Sequence, residues 1–177
     1  MTSYGIDGLP AALRMRLKRI RAVVLDIDGV LTDGRMWLAD SGEEFLAFHV
    51  RDGYGLKLML RSGIEVGVIS GRNSKAARFR LEALGVRFVY QGQDDKLPAL
   101  AEFLELSGRS AAETLYVGDD TLDLPAMRAV GVAATVADAH PEVLAFCPWV
   151  TSLPGGQGAV REIADGLATA RDADGVD

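Results

Sequence analysis

The stretch Ala22-Val23-Val24-Leu25-Asp26-Ile27-Asp28-Gly29-Val30-Leu31-Thr32 decides the fold. Residues 22–27 are short, apolar and β-branched, the pattern of a strand buried on both faces. A turn with two carboxylates follows at once. Downstream, short apolar runs keep alternating with helical periodicity. Strands are expected at 65–69, 88–90, 114–117, 132–135 and about Val150. Helices are expected at 53–61, 74–84 (ended by Gly85), 96–106 (ended near Gly108), 122–130 (ended by Gly131) and 159–170, with a helical turn over 141–146. Residues 35–50 depart from the pattern. Trp37, Leu38 and 45–48 flank Asp40-Ser41-Gly42, a turn signal, and so read as a β-hairpin. Strand–helix alternation implies an α/β fold, a parallel sheet with helices on both faces.

At 177 residues, 49% apolar and 25% charged, the chain fits one globular domain and excludes a disordered or collagenous protein. No apolar run is long enough to span a membrane. A net charge of −6 argues against nucleic acid as a partner. Cys147 is the only cysteine, so no internal disulfide can form, which fits a reducing, cytoplasmic setting. Arg14, Arg16, Lys18, Arg19 and Arg21 lie between Leu13, Leu17 and Ile20. With no apolar core of a signal peptide beside them, residues 1–21 read as a basic arm or short surface helix. The domain proper is then 22–171, and residues 172–177 read as a frayed tail.

Ligands of such sheets collect at the carboxyl ends of the strands. Four of those ends carry chemistry: Asp26 and Asp28, then Ser70-Gly71-Arg72, then Gln91 to Lys96, then Gly118-Asp119-Asp120-Thr121-Leu122-Asp123. Each group alone is an ordinary turn or helix start. Together on one edge they supply clustered oxygens for a hard cation such as Mg²⁺. They also supply a hydroxyl and a lysine for phosphoryl oxygens. Phosphoryl transfer requires an oxygen nucleophile, a bridging cation and donors to the equatorial oxygens.

In this order the motifs resemble the haloacid dehalogenase superfamily of aspartate-nucleophile phosphohydrolases, whose sheet is Rossmann-like. The stretches VRDGYGLK (50–57), YQGQ (90–93), VGDDTLDLP (117–125), VADAHP (136–141) and GGQGAVRE (155–162) narrow the resemblance to its capless sugar-acid phosphate phosphatases of lipopolysaccharide core synthesis. The resemblance implies Asp26 as nucleophile and Asp28 as general acid and then base. It implies Ser70 and Lys96 as phosphoryl ligands, and Mg²⁺ held by Asp26, the Asp28 carbonyl and Asp119. It assigns substrate contacts to Asp28, His49, Val50, Arg51, Asp52, Gly53, Lys57, Arg72, Arg80 and Lys96. His49 stands where relatives often have Asn. Asp120 and Asp123 are left unranked as supports of the metal.

About twenty residues separate Leu31 from Asp52, and 23 lie between Arg72 and Lys96. Neither gap has room for a cap domain of about 50 residues. The site of one chain is therefore expected to be open. The hairpin residues Trp37, Leu38, Phe45 and Phe48 are more apolar than an exposed hairpin needs. A homo-oligomer is expected, by resemblance a homotetramer, in which hairpins and the 155–158 region cover a neighbour's site. The substrate class is an eight-carbon sugar-acid phosphate, with a nine-carbon sialic-acid-type phosphate or a non-catalytic module on the same fold as alternatives.

Overall fold

The computed structural model describes residues 6–172. In chain order it contains α1 (Ala11–Leu17), β1 (Ala22–Leu25), a hairpin of β2 (Trp37–Leu38) and β3 (Glu44–Phe45), α2 (Val50–Arg61), β4 (Glu65–Ile69), α3 (Lys75–Leu84) and β5 (Phe88–Tyr90). There follow α4 (Lys96–Ser107), β6 (Thr114–Val117), α5 (Leu124–Arg128), β7 (Val132–Thr135), α6 (Pro141–Phe146), β8 (Trp149–Val150) and α7 (Ala159–Asp172). Strand β1 is buried at every position and pairs in parallel with β4 on one side and β6 on the other. The complete order, β5-β4-β1-β6-β7-β8, is parallel throughout. Among the described residues the insertion after β1 is only the antiparallel hairpin, and no cap domain is present.

Side chains alternate across the pleat and divide the core in two. Val23 and Leu25 pack with Leu13 and Leu17 of α1, Leu56 and Met59 of α2, Leu81 of α3 and Ile163 and Leu167 of α7. Ala22 and Val24 face Leu100 and Phe103 of α4, Met127 of α5 and Val143 of α6. Helix α1 thus keeps its basic residues outward while Leu13, Leu17 and Ile20 join the core. Of the tail at 172–177, only Asp172 lies within the described residues.

Strands β4 to β7 begin and end where the hydrophobic pattern expects. Elsewhere local hydrogen bonds move the boundaries. Strand β1 stops at Leu25 because the Ile27 amide donates to Asp26 Oδ1 at 2.7 Å and not to a neighbouring strand. Helix α2 starts at Val50, not at Gly53, because His49 Nδ1 accepts from the Arg51 amide at 3.1 Å and caps an earlier turn. The helix expected at 122–130 shortens to α5. A 3₁₀ turn, Thr121–Asp123, comes first, and the Asp123 carboxylate accepts from the amides of Asp119 and Asp120.

Helices α2 and α7 approach until backbone meets backbone. A Cβ on Gly55 would stand 2.9 Å from Arg161 Cα and 3.1 Å from its nitrogen. Beside that contact the Asp52 carboxylate accepts from the amides of Gly158 and Arg161, both at 3.0 Å, which caps the start of α7. In a free helix, Gly→Ala stabilises by about 1 kcal/mol. At Gly55 the clash outweighs that gain. Gly55→Ala should destabilise by about 1–3 kcal/mol, lowering the thermal midpoint by about 2–4 °C per kcal/mol. Calorimetry showing an unchanged or higher midpoint would contradict this packing.

Candidate active site

The carboxyl ends of β1, β4 and β6 and the start of α4 converge on one cavity of about 320 Å³. Asp26, Asp28, Ser70, Arg72, Lys96 and Asp119 are among its lining residues. Lys96, the first residue of α4, is 4% exposed, and its ammonium lies 3.0 Å from Asp26 Oδ2 and 2.7 Å from Asp123 Oδ1. Burial alone would lower its pKa, but attraction by Asp26 and Asp123 outweighs that and holds it above its ordinary value. The side chain is therefore a fixed cation beside the carboxylate at the end of β1. Asp95 caps α4 through the Leu97 amide at 3.0 Å, which sets where this first turn begins.

Asp123 is wholly buried and ties the cluster together. It accepts from Lys96, from the Tyr116 hydroxyl at 2.9 Å, and from the amides of Asp119 at 3.1 Å and Asp120 at 3.3 Å. With its lone pairs so engaged, it serves as an anchor for Lys96 and for the β6 loop. Asp120 points outward and caps the 3₁₀ turn through the Thr121 amide.

Asp119 behaves in the opposite way. Its Oδ1 is buried and has no hydrogen-bond partner. Gly29, at φ +84°, makes room for it, since a Cβ there would meet Asp119 Oδ2 at 2.0 Å. Burial first, then the charges of Asp26 and Asp123, push Asp119 up to about 8. Burial first, then Asp123, pushes Asp26 up to about 7 in spite of Lys96. Carboxylate oxygens of Asp26, Asp119 and Asp123 lie within 4.8 Å of one another. An orphaned buried oxygen and two carboxyls that resist ionisation are what a site built for a hard divalent cation presents when its protein groups stand alone. The donor set fits Mg²⁺.

Ser70 is 1% exposed. Its amide donates to the Tyr90 carbonyl at 2.9 Å and its Oγ accepts from the Arg72 amide at 3.2 Å, fixing the loop after β4. Arg72 Nη1 donates to Asp28 Oδ1 at 2.8 Å, while Nη2 pairs with Glu44 of the hairpin. Burial raises the Asp28 pKa, Arg72 lowers it and Glu44 raises it, leaving it above its usual value.

The residues assigned to phosphoryl chemistry thus share one cavity. Most of those assigned to the sugar do not. His49 caps α2, Val50 is 78% exposed, and Lys57 is exposed on the same helix. Asp52 is buried against α7. Arg80 crosses Gly53, where a Cβ would stand 2.7 Å from its Nη2. Arg51 lines a separate cavity of about 350 Å³ with Arg161, Glu162 and Asp165. The 155–158 loop backs this chain's own first loop, for the Gly156 amide donates to the Val30 carbonyl at 3.0 Å. Two participants escaped the sequence reading. Tyr116 occupies an ordinary core position of β6, and Glu44 sits in a hairpin whose visible signal is apolar.

A family model for haloacid dehalogenase-like hydrolases matches residues 86–163. The chain is 44% identical over 170 residues to the 3-deoxy-D-manno-octulosonate 8-phosphate phosphatase KdsC of Escherichia coli, covering 96% of this chain and 89% of that one. The crystal structure of the phosphatase of that name from Yersinia pestis superposes with a TM-score of 0.90 at 42% identity, over 92% of this chain and 88% of that one. The Moraxella catarrhalis phosphatase, solved with magnesium, phosphate and a KDO molecule, gives 0.88 at 35% identity, over 93% and 95%. The chain belongs to the haloacid dehalogenase-like hydrolases, in the family of the 3-deoxy-D-manno-octulosonate 8-phosphate phosphatases.

Proposed function

We propose that this chain is a Mg²⁺-dependent phosphatase that hydrolyses 3-deoxy-D-manno-octulosonate 8-phosphate to the free sugar acid and phosphate, in lipopolysaccharide core synthesis and in the cytoplasm. The observation that carries the reading is the buried Lys96 ammonium, 3.0 Å from Asp26 at the floor of a cavity rich in carboxylates. It supplies a fixed positive charge to a phosphoryl oxygen beside an oxygen nucleophile. Ser70 adds a hydroxyl on the same floor. Asp26 attacks phosphorus, and the P–O bond to the sugar breaks as Asp28 hands its proton to the leaving oxygen. Asp28 then takes a proton from water, which attacks the aspartyl-phosphate and releases phosphate. Asp26, the Asp28 carbonyl and Asp119 would hold the cation. When bound, it offsets negative charge on the transferring phosphoryl group.

Substrate selection rests on Arg72 at the cavity rim and on His49, Val50, Arg51, Asp52, Gly53, Lys57 and Arg80. Most of these lie away from the Asp26 cavity of their own chain. That separation, with Trp37, Leu38 and Phe45 exposed at 64%, 67% and 53%, supports a homotetramer in which a neighbour completes the site.

Phosphate release from 3-deoxy-D-manno-octulosonate 8-phosphate, measured beside a nine-carbon sialic-acid-type 9-phosphate and with or without Mg²⁺, tests the function. Turnover of the eight-carbon ester that requires Mg²⁺ is expected. Preference for the nine-carbon ester, or metal-independent release, would overturn the reading. Asp26→Asn should lower kcat by at least about 10³-fold through loss of the nucleophile. The raised Asp26 and Asp119 values also fix a sign for stability. Without metal, the folded state keeps protons that the unfolded chain has already lost above pH 3.8. Stability from these groups is therefore full below that pH and is lost as pH rises toward about 8. A cation that displaces those protons should raise the thermal midpoint more at pH 8.5 than at pH 5.5, and Asp119→Asn should flatten the difference. Leu38→Glu should yield a folded, poorly active smaller species in sedimentation. A fully active monomer would contradict the shared site.

A further inference from the structure

Arg72 is held from two sides. Its Nη1 reaches Asp28, and its Nη2 meets Glu44 Oε2, brought in by β3 from the hairpin. The Met36 sulfur lies 2.9 Å from the same Nη2. The Glu44 side chain is only 22% exposed, although its neighbour Phe45 and its cross-strand partner Leu38 are exposed. A two-residue strand therefore turns its acidic side chain inward, onto the loop after β4. A guanidinium fork matches a carboxylate with two parallel bonds when nothing else claims it. Here Asp28 receives one nitrogen, because Glu44 takes the other.

We infer that Glu44 is a positioning residue that draws Arg72 toward the hairpin and keeps its guanidinium from closing in a two-pronged pair over Asp28. The inference rests on the phosphatase reading for the role of Asp28 and deepens it, since it makes the hairpin part of the machinery. Arg72 tied to Glu44 stands beside the acid and faces outward, toward an anionic sugar. Arg72 closed over Asp28 would occupy the oxygens that must meet the leaving group and the water.

Glu44→Gln keeps the shape and removes the charge. On the sugar-acid phosphate it should lower kcat about tenfold, the weight of one charge-assisted hydrogen bond, and raise KM toward that of Arg72→Gln, because the guanidinium leaves the sugar. The double variant Glu44→Gln/Arg72→Gln should recover kcat above that of Glu44→Gln, at the raised KM of Arg72→Gln. Deleting a second polar side chain does not repair a folding defect, so this recovery separates positioning from a structural role. Unchanged kcat in Glu44→Gln, or a double variant no faster than it, would overturn the proposal. A crystal structure of full-length Glu44→Gln decides the matter without substrate. Both terminal nitrogens of Arg72 on Asp28 support the proposal, and Arg72 retaining its single contact overturns it. Wild-type protein inactive on the sugar-acid phosphate would refute the substrate reading, while the crystal structure still decides the role of Glu44.

Discussion

A lysine ammonium buried between two carboxylates is the constraint around which this molecule is organised. Lys96 is nearly inaccessible, and a charge in that position is tolerated only with close opposite charges and complete hydrogen bonding. Asp26 and Asp123 supply the charges, and Tyr116 and two loop amides hold Asp123 in turn. Removing either carboxylate would leave the buried cation with a single counter-charge. The arrangement also fixes the Asp26 carboxylate. One of its oxygens is held by Lys96 and the other by the Ile27 amide, so the fold itself sets its orientation.

The sheet makes this possible at low backbone cost. With β1 between β4 and β6, three successive strand ends open onto the same edge, and the helix after β5 delivers Lys96 to it. Residues from four distant parts of the chain meet without any long loop. Because the strands are buried on both faces, rigidity of the floor comes from the core. Variation can then be confined to the rim, where the hairpin, the loop after β4 and the start of α2 stand.

How much of this could be read from sequence depends on the range of the interaction involved. Strands β4 to β7 were legible to the residue, because uninterrupted apolar runs bounded by glycine and polar residues have few other solutions. The four strand-end motifs were legible as a set for the same reason, since a parallel sheet sends them all to one edge. Helix α2 began early because a histidine cap is a weak signal and Gly53 and Gly55 mask helical propensity. Asp52 gave no hint of its partners, which lie more than a hundred residues away, just before α7 and in its first turn. Tyr116 and Glu44 were invisible for a related reason. One looks like core and the other like surface, and only the pairing of elements shows what each touches.

The contacts that the C-terminal segment makes with the front of the chain bear on assembly during synthesis. The Gly156 amide holds the Val30 carbonyl in the loop after Asp28, and Asp52 receives the start of α7. Contacts of such separation form late, since the chain between them must be ordered first. A nascent chain that has emerged only as far as β7 already carries Asp26, Asp28, Lys96 and the acidic cluster at 119–123, yet its first loop lacks the contact from Gly156. The loop that carries Asp28 thus gains its backing only after every strand of the sheet has been synthesised.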